Sequence, residues 1–302
     1  MKEEVFILGG SGFVGKHLSV YLSEYYRVTV FDMWIDSEYF SAYPAIQVYE
    51  IDLIYSQIPD IFITPTFIIN LASPLVTASR ELDGVNQLIA DNIRILKNIF
   101  ERFKDDNLLK LLIQFGSIEE YGTAKSPFKE TDREYPNSAY ALMKQASTNL
   151  AIMLNKNFNF PAMVVRPGNL FGKFQSENRF IPYVYHRLSK NKDLEVTGCE
   201  QKRDFIYIND FNHIILKILA RSWVFVGEIV NISSGQSIIL KDIVEKLKLL
   251  LSSKSNTLYG VIPYRLNESL DIRCNIDKLE YLLEEKIEFR FFENLEILTK
   301  IS

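Results

Sequence analysis

The chain has 302 residues, 47% hydrophobic and 24% charged, enough apolar material to build one large core or two interleaved ones. A net charge of −4, with Lys and Arg dispersed rather than gathered into a stripe, argues against a nucleic-acid partner, and no segment reaches the roughly 18 apolar residues that span a bilayer. The first strand-like run starts at Val5 and leaves no room for a secretory leader, so the cytoplasm is the expected compartment.

VFIL at 5–8 predicts a buried strand. GGSGFVG follows at once, with Gly9, Gly12 and Gly15 spaced for a tight turn, a close backbone approach to a pyrophosphate, and helix-on-strand packing. Val14, Leu18, Tyr21, Leu22 and Tyr25 then fall at helical spacing. The second strand, at 28–31, ends on Asp32, twenty residues after Gly12, where a carboxylate accepts adenine-ribose hydroxyls. A carboxylate about 4 Å from a 2′-phosphate costs roughly 4 kcal/mol per phosphate charge at an effective dielectric near 20. No Lys or Arg occurs from Met33 to Ser79 to offset it, so NAD(H) is favoured and NADP(H) requires a basic residue from elsewhere in the chain.

Further strands are expected at 46–51, 67–71, 108–115 and 162–166, separated by helical patterns. Val85, Leu88, Ile89, Ile93, Leu96, Phe100 and Phe103 mark one such helix. This is the alternation of a doubly wound parallel α/β sheet. The run at 108–115 leads into FGSIEEYG, which puts Ser117, Glu119 and Glu120 at a strand's carboxyl end, where open α/β sheets bind ligands. YALMK then places Tyr140 and Lys144 on one helix face. Making a phenol with pKa near 10 useful at neutral pH takes about three units, roughly 4 kcal/mol, and an ammonium about 4 Å away supplies about that much. After Pro167 the elements shorten: a polar loop KFQSENRF, a helix at about 181–190, a strand-like DFIYIND, and a buried strand pattern at 227–235. Cys199 and Cys274 have no CxxC pairing and no His at ligand spacing, so neither a metal nor a disulfide is expected.

Taken in order, the glycine turn, Asp32, the strand-end Ser117 and YxxxK make the chain resemble, over nearly its whole length, the extended short-chain dehydrogenase/reductase family that acts on nucleotide-diphosphate sugars. The resemblance implies a Rossmann domain at 1–166 with return segments at about 204–234, and a smaller interleaved lobe at 167–203 and 235–302. Cofactor positions carried over are Gly9, Ser11, Gly12, Phe13, Val14, Gly15, Asp32, Asp52 and Leu53 in EIDL, Leu71, Ala72 and Ser73 in NLASP, Asn92, Tyr140, Lys144 and Arg166. RPGNLFG, ENRFIP and KRDFIYIND match the substrate segments and suggest Asn169, Asn178 and Arg203 as ligands of a sugar-nucleotide diphosphate. Arg265 is a further one, although YRLNES departs from the family's RPGD-like segment.

By the same resemblance the catalytic set is Ser117, Tyr140, Lys144 and Glu119, with Lys144 holding the ribose and depressing the Tyr140 pKa. Glu119 either accepts a substrate hydroxyl or orders the Ser117 loop; Glu120 is either solvated or structural. The family's dTDP-glucose dehydratases carry Asp-Glu after the residue aligned with Ser117, and Ile118 replaces that acid here. GSxEEYG instead resembles the 4-ketoreductases, of the abequose and paratose synthase type. The implied activity is NAD(P)-dependent 4-ketoreduction of a nucleotide-activated sugar, with a 4-epimerase or a C4 dehydrogenase retaining NAD as the alternative. A homodimer through helices at about 84–104 and 138–156 is also implied.

Overall fold

Strand β1 (Glu4–Leu8) is apolar along its length because both faces are covered: Val5 and Ile7 enter one core layer, Phe6 and Leu8 the other. The computed structural model describes residues 2–60, 64–74, 82–264 and 268–301. After β1 come α1 (Phe13–Ser23), β2 (Arg27–Asp32), α2 (Ser37–Ser41), β3 (Gln47–Glu50), β4 (Phe67–Asn70), α3 (Leu82–Phe103), β5 (Leu111–Phe115), α4 (Ala139–Phe158) and β6 (Ala162–Pro167). The remainder runs through β7 (Asn169–Phe171), α5 (Phe180–Ser189), β8 (Leu194–Val196), β9 (Lys202–Arg203), β10 (Phe205–Tyr207), α6 (Ile208–Ala220), α7 (Ser222–Phe225) and β11 (Ile229–Ile232). It ends with β12 (Ile238–Ile239), α8 (Leu240–Leu250), β13 (Thr257–Tyr259), β14 (Asp271–Ile272), α9 (Asp277–Leu283) and α10 (Phe291–Ile301).

Among the described residues, seven strands form a parallel sheet in the order β11-β6-β5-β4-β1-β2-β3. From β1 the chain winds outward to β3, then returns to β4 on the other side, so the winding reverses between β1 and β4. A reversal of this kind opens a crevice beyond the strands' carboxyl ends. The glycine turn after β1, the loop after β4 and the FGSIEEYG segment after β5 all lie at that edge. Short strands assemble the smaller part: β10 pairs with β7, β9 with β12 and β14, and β13 with β8. One continuous apolar layer joins it to the main sheet, from Val30 and Ile113 through Phe171 and Phe211 to Leu194, Leu247 and Leu295. Among the described residues no helix is long and apolar enough to cross a membrane.

Several expected strands are shorter than their apolar runs, and two of them show why. The run at 108–115 pairs only from Leu111, because Leu108 turns outward with 65% of its surface exposed. DFIYIND is extended only to Tyr207; Ile208, Phe211, Ile215 and Ile218 lie on one buried helical face, and Asp210 in the first turn suits a helix N-terminus, so α6 begins inside the expected strand.

Candidate active site

At the β1–α1 turn, Gly9 has φ +80°, and a Cβ there would stand 2.7 Å from the Ala72 nitrogen, so the turn and the loop after β4 meet backbone to backbone. Gly15 faces Gly10 just as tightly. Gly12 differs: its φ of −71° suits any residue, and a Cβ there would meet only the Gly9 oxygen at 3.6 Å. Among the described residues nothing requires glycine at that point. It opens α1, whose N-terminus has no side-chain cap, so the first-turn N–H groups are left for an anion such as a pyrophosphate. Phe13 and Val14, in the first turn, are half-buried against the core.

Asp32 ends β2 with its Oδ2 accepting the Ser11 N–H at 2.9 Å; burial raises its pKa, against the backbone hydrogen bonds of Ser11, Trp34 and Met33. Ser11 Oγ accepts the Asp36 N–H at 3.2 Å, and Asp36 pairs through Oδ2 with Lys16 from α1. Neither Asp36 nor Lys16 was among the expected cofactor residues. Asp52 caps its own turn, accepting the Ile54 N–H at 2.9 Å. The Leu53 side chain is buried in the core. Leu71, Ala72 and Ser73 lie half-buried opposite the glycine turn, with Ser73 Oγ 3.9 Å from the Met143 sulfur. Asn92 is buried and donates to the Met143 carbonyl at 3.4 Å, joining α3 to α4 one residue before Lys144.

The β5 end, a 3-10 turn over Ile118–Tyr121, and α4 bring Ser117, Tyr140 and Lys144 together. Lys144 Nζ lies 5.9 Å from the Tyr140 ring centroid and donates to the Phe115 carbonyl at 3.1 Å; burial lowers its pKa to about 8. Ser117 Oγ accepts the Glu119 N–H at 3.1 Å. The Tyr140 pKa is pushed up to about 12, by burial first and then by the Glu119 charge, against a hydrogen bond from Ser117 and the charge of Arg179. The groups that set the Tyr140 pKa do not include Lys144, whose ammonium lies over the ring and, with a pKa of about 8, still carries its charge at neutral pH. Arg179, beside Asn178 in ENRFIP, is a basic group of the cleft that motif matching passed over.

Glu120 is fully buried and structural. Its Oε1 accepts from the Ser117 N–H at 2.8 Å and the Thr148 hydroxyl at 3.1 Å, and its Oε2 from Arg166 Nε at 3.0 Å. Gly116 makes room for that carboxylate, since a Cβ there would stand 2.4 Å from it. Burial pushes the Glu120 carboxyl up while Arg166, Ser117 and Thr148 pull it back. The Arg166 guanidinium is enclosed, 2.6 Å from Glu134 and stacked over the Tyr121 ring at 4.6 Å. Its side chain is therefore a structural cation beneath the Ser117 turn and does not reach out as a cofactor ligand. Ile118 is buried with Tyr121, Phe128 and Cys274.

In the smaller part, Asn169 donates to the Asp204 carbonyl at 2.9 Å, and Asn178 pairs with Ser176 on an exposed loop. Arg203 donates to Glu268 at 2.7 Å and to the carbonyls of Lys202 and Ser269. Arg265 lies outside the described residues.

The family model described as "NAD dependent epimerase/dehydratase family" matches residues 5–233. The CDP-abequose synthase of Salmonella muenchen is 33% identical over 118 residues, 39% of this chain and 40% of that protein. A dTDP-4-dehydro-6-deoxyglucose reductase of Escherichia coli is 28% identical over 54% of this chain and 51% of its own length. The chain thus spans about half or less of these two relatives' length. A GDP-6-deoxy-D-mannose reductase of Pseudomonas aeruginosa is 24% identical over 82% of this chain and 80% of that one. Among solved structures, a UDP-N-acetylglucosamine 4-epimerase from Methanobrevibacter ruminantium superposes with a TM-score of 0.88 at 22% identity, covering 99% of this chain and 98% of that one. A UDP-glucuronic acid 4-epimerase from Bacillus cereus, in complex with UDP-glucuronic acid and NAD, gives 0.88 at 21% identity and 98% of both chains.

Proposed function

The chain belongs to the NAD dependent epimerase/dehydratase family, and within it we propose a cytoplasmic 4-ketoreductase that uses NAD(H) on a nucleotide-diphosphate sugar. The observation that carries this reading is the Ser117 hydroxyl hydrogen-bonded to Tyr140 at the end of β5, with no acid at Ile118, whose side chain is spent in the core. A phenol that keeps its proton at neutral pH is suited to giving one up to a developing alkoxide. When bound, the nicotinamide supplies the hydride. Tyr140 then protonates the C4 oxygen, and Ser117, whose oxygen accepts the Glu119 N–H, still has its own proton to donate to that oxygen. Lys144 would hold the nicotinamide ribose. The turn from Gly9 to Gly15 would seat the pyrophosphate, and Asp32 the adenine ribose. Arg203, whose guanidinium is held by Glu268 and would have to share its donors, and Asn169 would face the sugar-nucleotide diphosphate.

The name of the Escherichia coli relative, a dTDP-4-dehydro-6-deoxyglucose reductase, supports a 4-keto-6-deoxy sugar as substrate class, and that of the Pseudomonas aeruginosa relative a 6-deoxy sugar. A second reading, a 4-epimerase with retained NAD, is favoured by the NAD-type carboxylate at Asp32. Mass spectrometry of nucleotides released on denaturing the freshly purified protein separates the two. The reductase reading expects substoichiometric cofactor; one equivalent of NAD per chain, surviving gel filtration, would contradict it.

A further inference from the structure

The structure brings a basic residue to the Asp32 end of the site, and a second acid with it. Lys16, one residue beyond the glycine turn, folds its ammonium across to Asp36 and over the Tyr39 ring at 5.0 Å. Asp36 is fixed on three sides: its N–H donates to Ser11 Oγ, its Oδ1 accepts the Tyr39 N–H at 3.1 Å, and its Oδ2 holds Lys16. Ser11 is also the residue whose N–H anchors Asp32. The two carboxylates are thus tied to one residue, and the cation that could serve a 2′-phosphate there is already neutralised. Its side chain and that of Asp36 are only 14% and 23% exposed.

We propose that Asp36 is a specificity-determining residue for the cofactor: by holding Lys16 as an ion pair beside Asp32, it withholds the cation from a 2′-phosphate and reserves the site for NAD(H). Asp32 acts directly, by repelling the phosphate. Asp36 acts through Lys16, an ammonium that would otherwise bind phosphate as a point charge. This rests on the proposed placement of the adenine ribose at Asp32.

The test is calorimetric titration of NADH and NADPH, read as dissociation constants and needing no turnover. Asp36→Asn keeps the cap on α2 and removes only the charge. It should tighten NADPH at least tenfold while changing NADH less than about threefold, and Lys16→Met added to Asp36→Asn should return NADPH to within about threefold of wild type. An unchanged NADPH to NADH ratio in a folded Asp36→Asn protein overturns the proposal. An equal gain in the double variant also overturns it, since the effect would then owe nothing to Lys16. A wild type that binds neither dinucleotide overturns this proposal and the cofactor reading together, whereas an NADH-selective wild type with a silent Asp36→Asn overturns this one alone.

Discussion

Glu119 and Glu120 are chemically alike and adjacent, yet burial divides them: Glu119 is exposed at the cleft, and Glu120 sits in the interior against Arg166. Glu120→Gln leaves Arg166 with Glu134 as its remaining carboxylate and weakens the charge-assisted bonds beneath the Ser117 turn, so it should cost about 1–3 kcal/mol of stability, seen as a lower denaturant midpoint at unchanged slope. Glu119→Gln should leave the midpoint in place and slow hydride transfer by less than about tenfold, roughly 1.4 kcal/mol. Tyr140→Phe, by contrast, should slow single-turnover hydride transfer about 10²- to 10⁴-fold with cofactor affinity retained, because the Gly9–Gly15 turn and Asp32 are untouched. Lys144 predicts a pH effect on stability. With its folded pKa lowered from 10.5 to about 8, the unfolded chain holds more protons between those values, so stability rises with pH across that window and the penalty is full below pH 8. Compared with Lys144→Met, whose unfolding is measured in parallel, wild type should gain about 3 kcal/mol between pH 7 and pH 11. An unchanged difference would show that Lys144 is not desolvated.

At the level of elements, what was legible in the sequence is what is local. The glycine turn, Asp32 at a strand end, and YxxxK on a helix announce themselves because each depends on neighbours a few residues apart. The α6 start at Ile208 did not, since the short apolar stretch FIYI fits a period of two or of 3.6. Glu120 with Arg166, 46 residues apart, and Lys16 with Asp36, 20 apart, were invisible because only the folded sheet brings them into contact. Strand β9 carries a third example: Arg203 is steadied by Glu268 across 65 residues. If Arg203 meets the substrate diphosphate as proposed, Arg203→Ala should raise the apparent substrate constant about tenfold to a hundredfold, the loss of a charge-assisted hydrogen bond of about 1.5–3 kcal/mol. Steady-state kinetics at saturating NADH, with unchanged substrate affinity in a folded variant, would assign Arg203 to scaffolding.

Over the whole molecule, α3 and α4 pack side by side on one face of the sheet and leave Leu88, Ile89 and Ile93 half-buried and Leu142 and Met153 each 39% exposed. We propose these helices as a homodimer interface. Sedimentation equilibrium should give twice the 35.1 kDa chain mass, falling to one chain with Leu142→Glu and Met153→Glu combined; a wild-type monomer at micromolar concentration would contradict the interface. The same sheet sets the catalytic geometry, since the winding reversal between β1 and β4 puts Gly12, Ala72 and Ser117 along one edge. The most direct test of the central claim is the fate of labelled hydride. The protein would be incubated with NADH deuterated at the transferable position and a panel of CDP-, dTDP- and GDP-linked 4-keto-6-deoxyhexoses, and the products followed by nicotinamide absorbance and by NMR at C4. A 4-ketoreductase consumes one NADH per 4-keto sugar and leaves deuterium on C4; no NADH consumption and no deuterium at C4 with any of these sugars, while a parallel panel of the corresponding 4-hydroxy nucleotide sugars is inverted at C4, would contradict it.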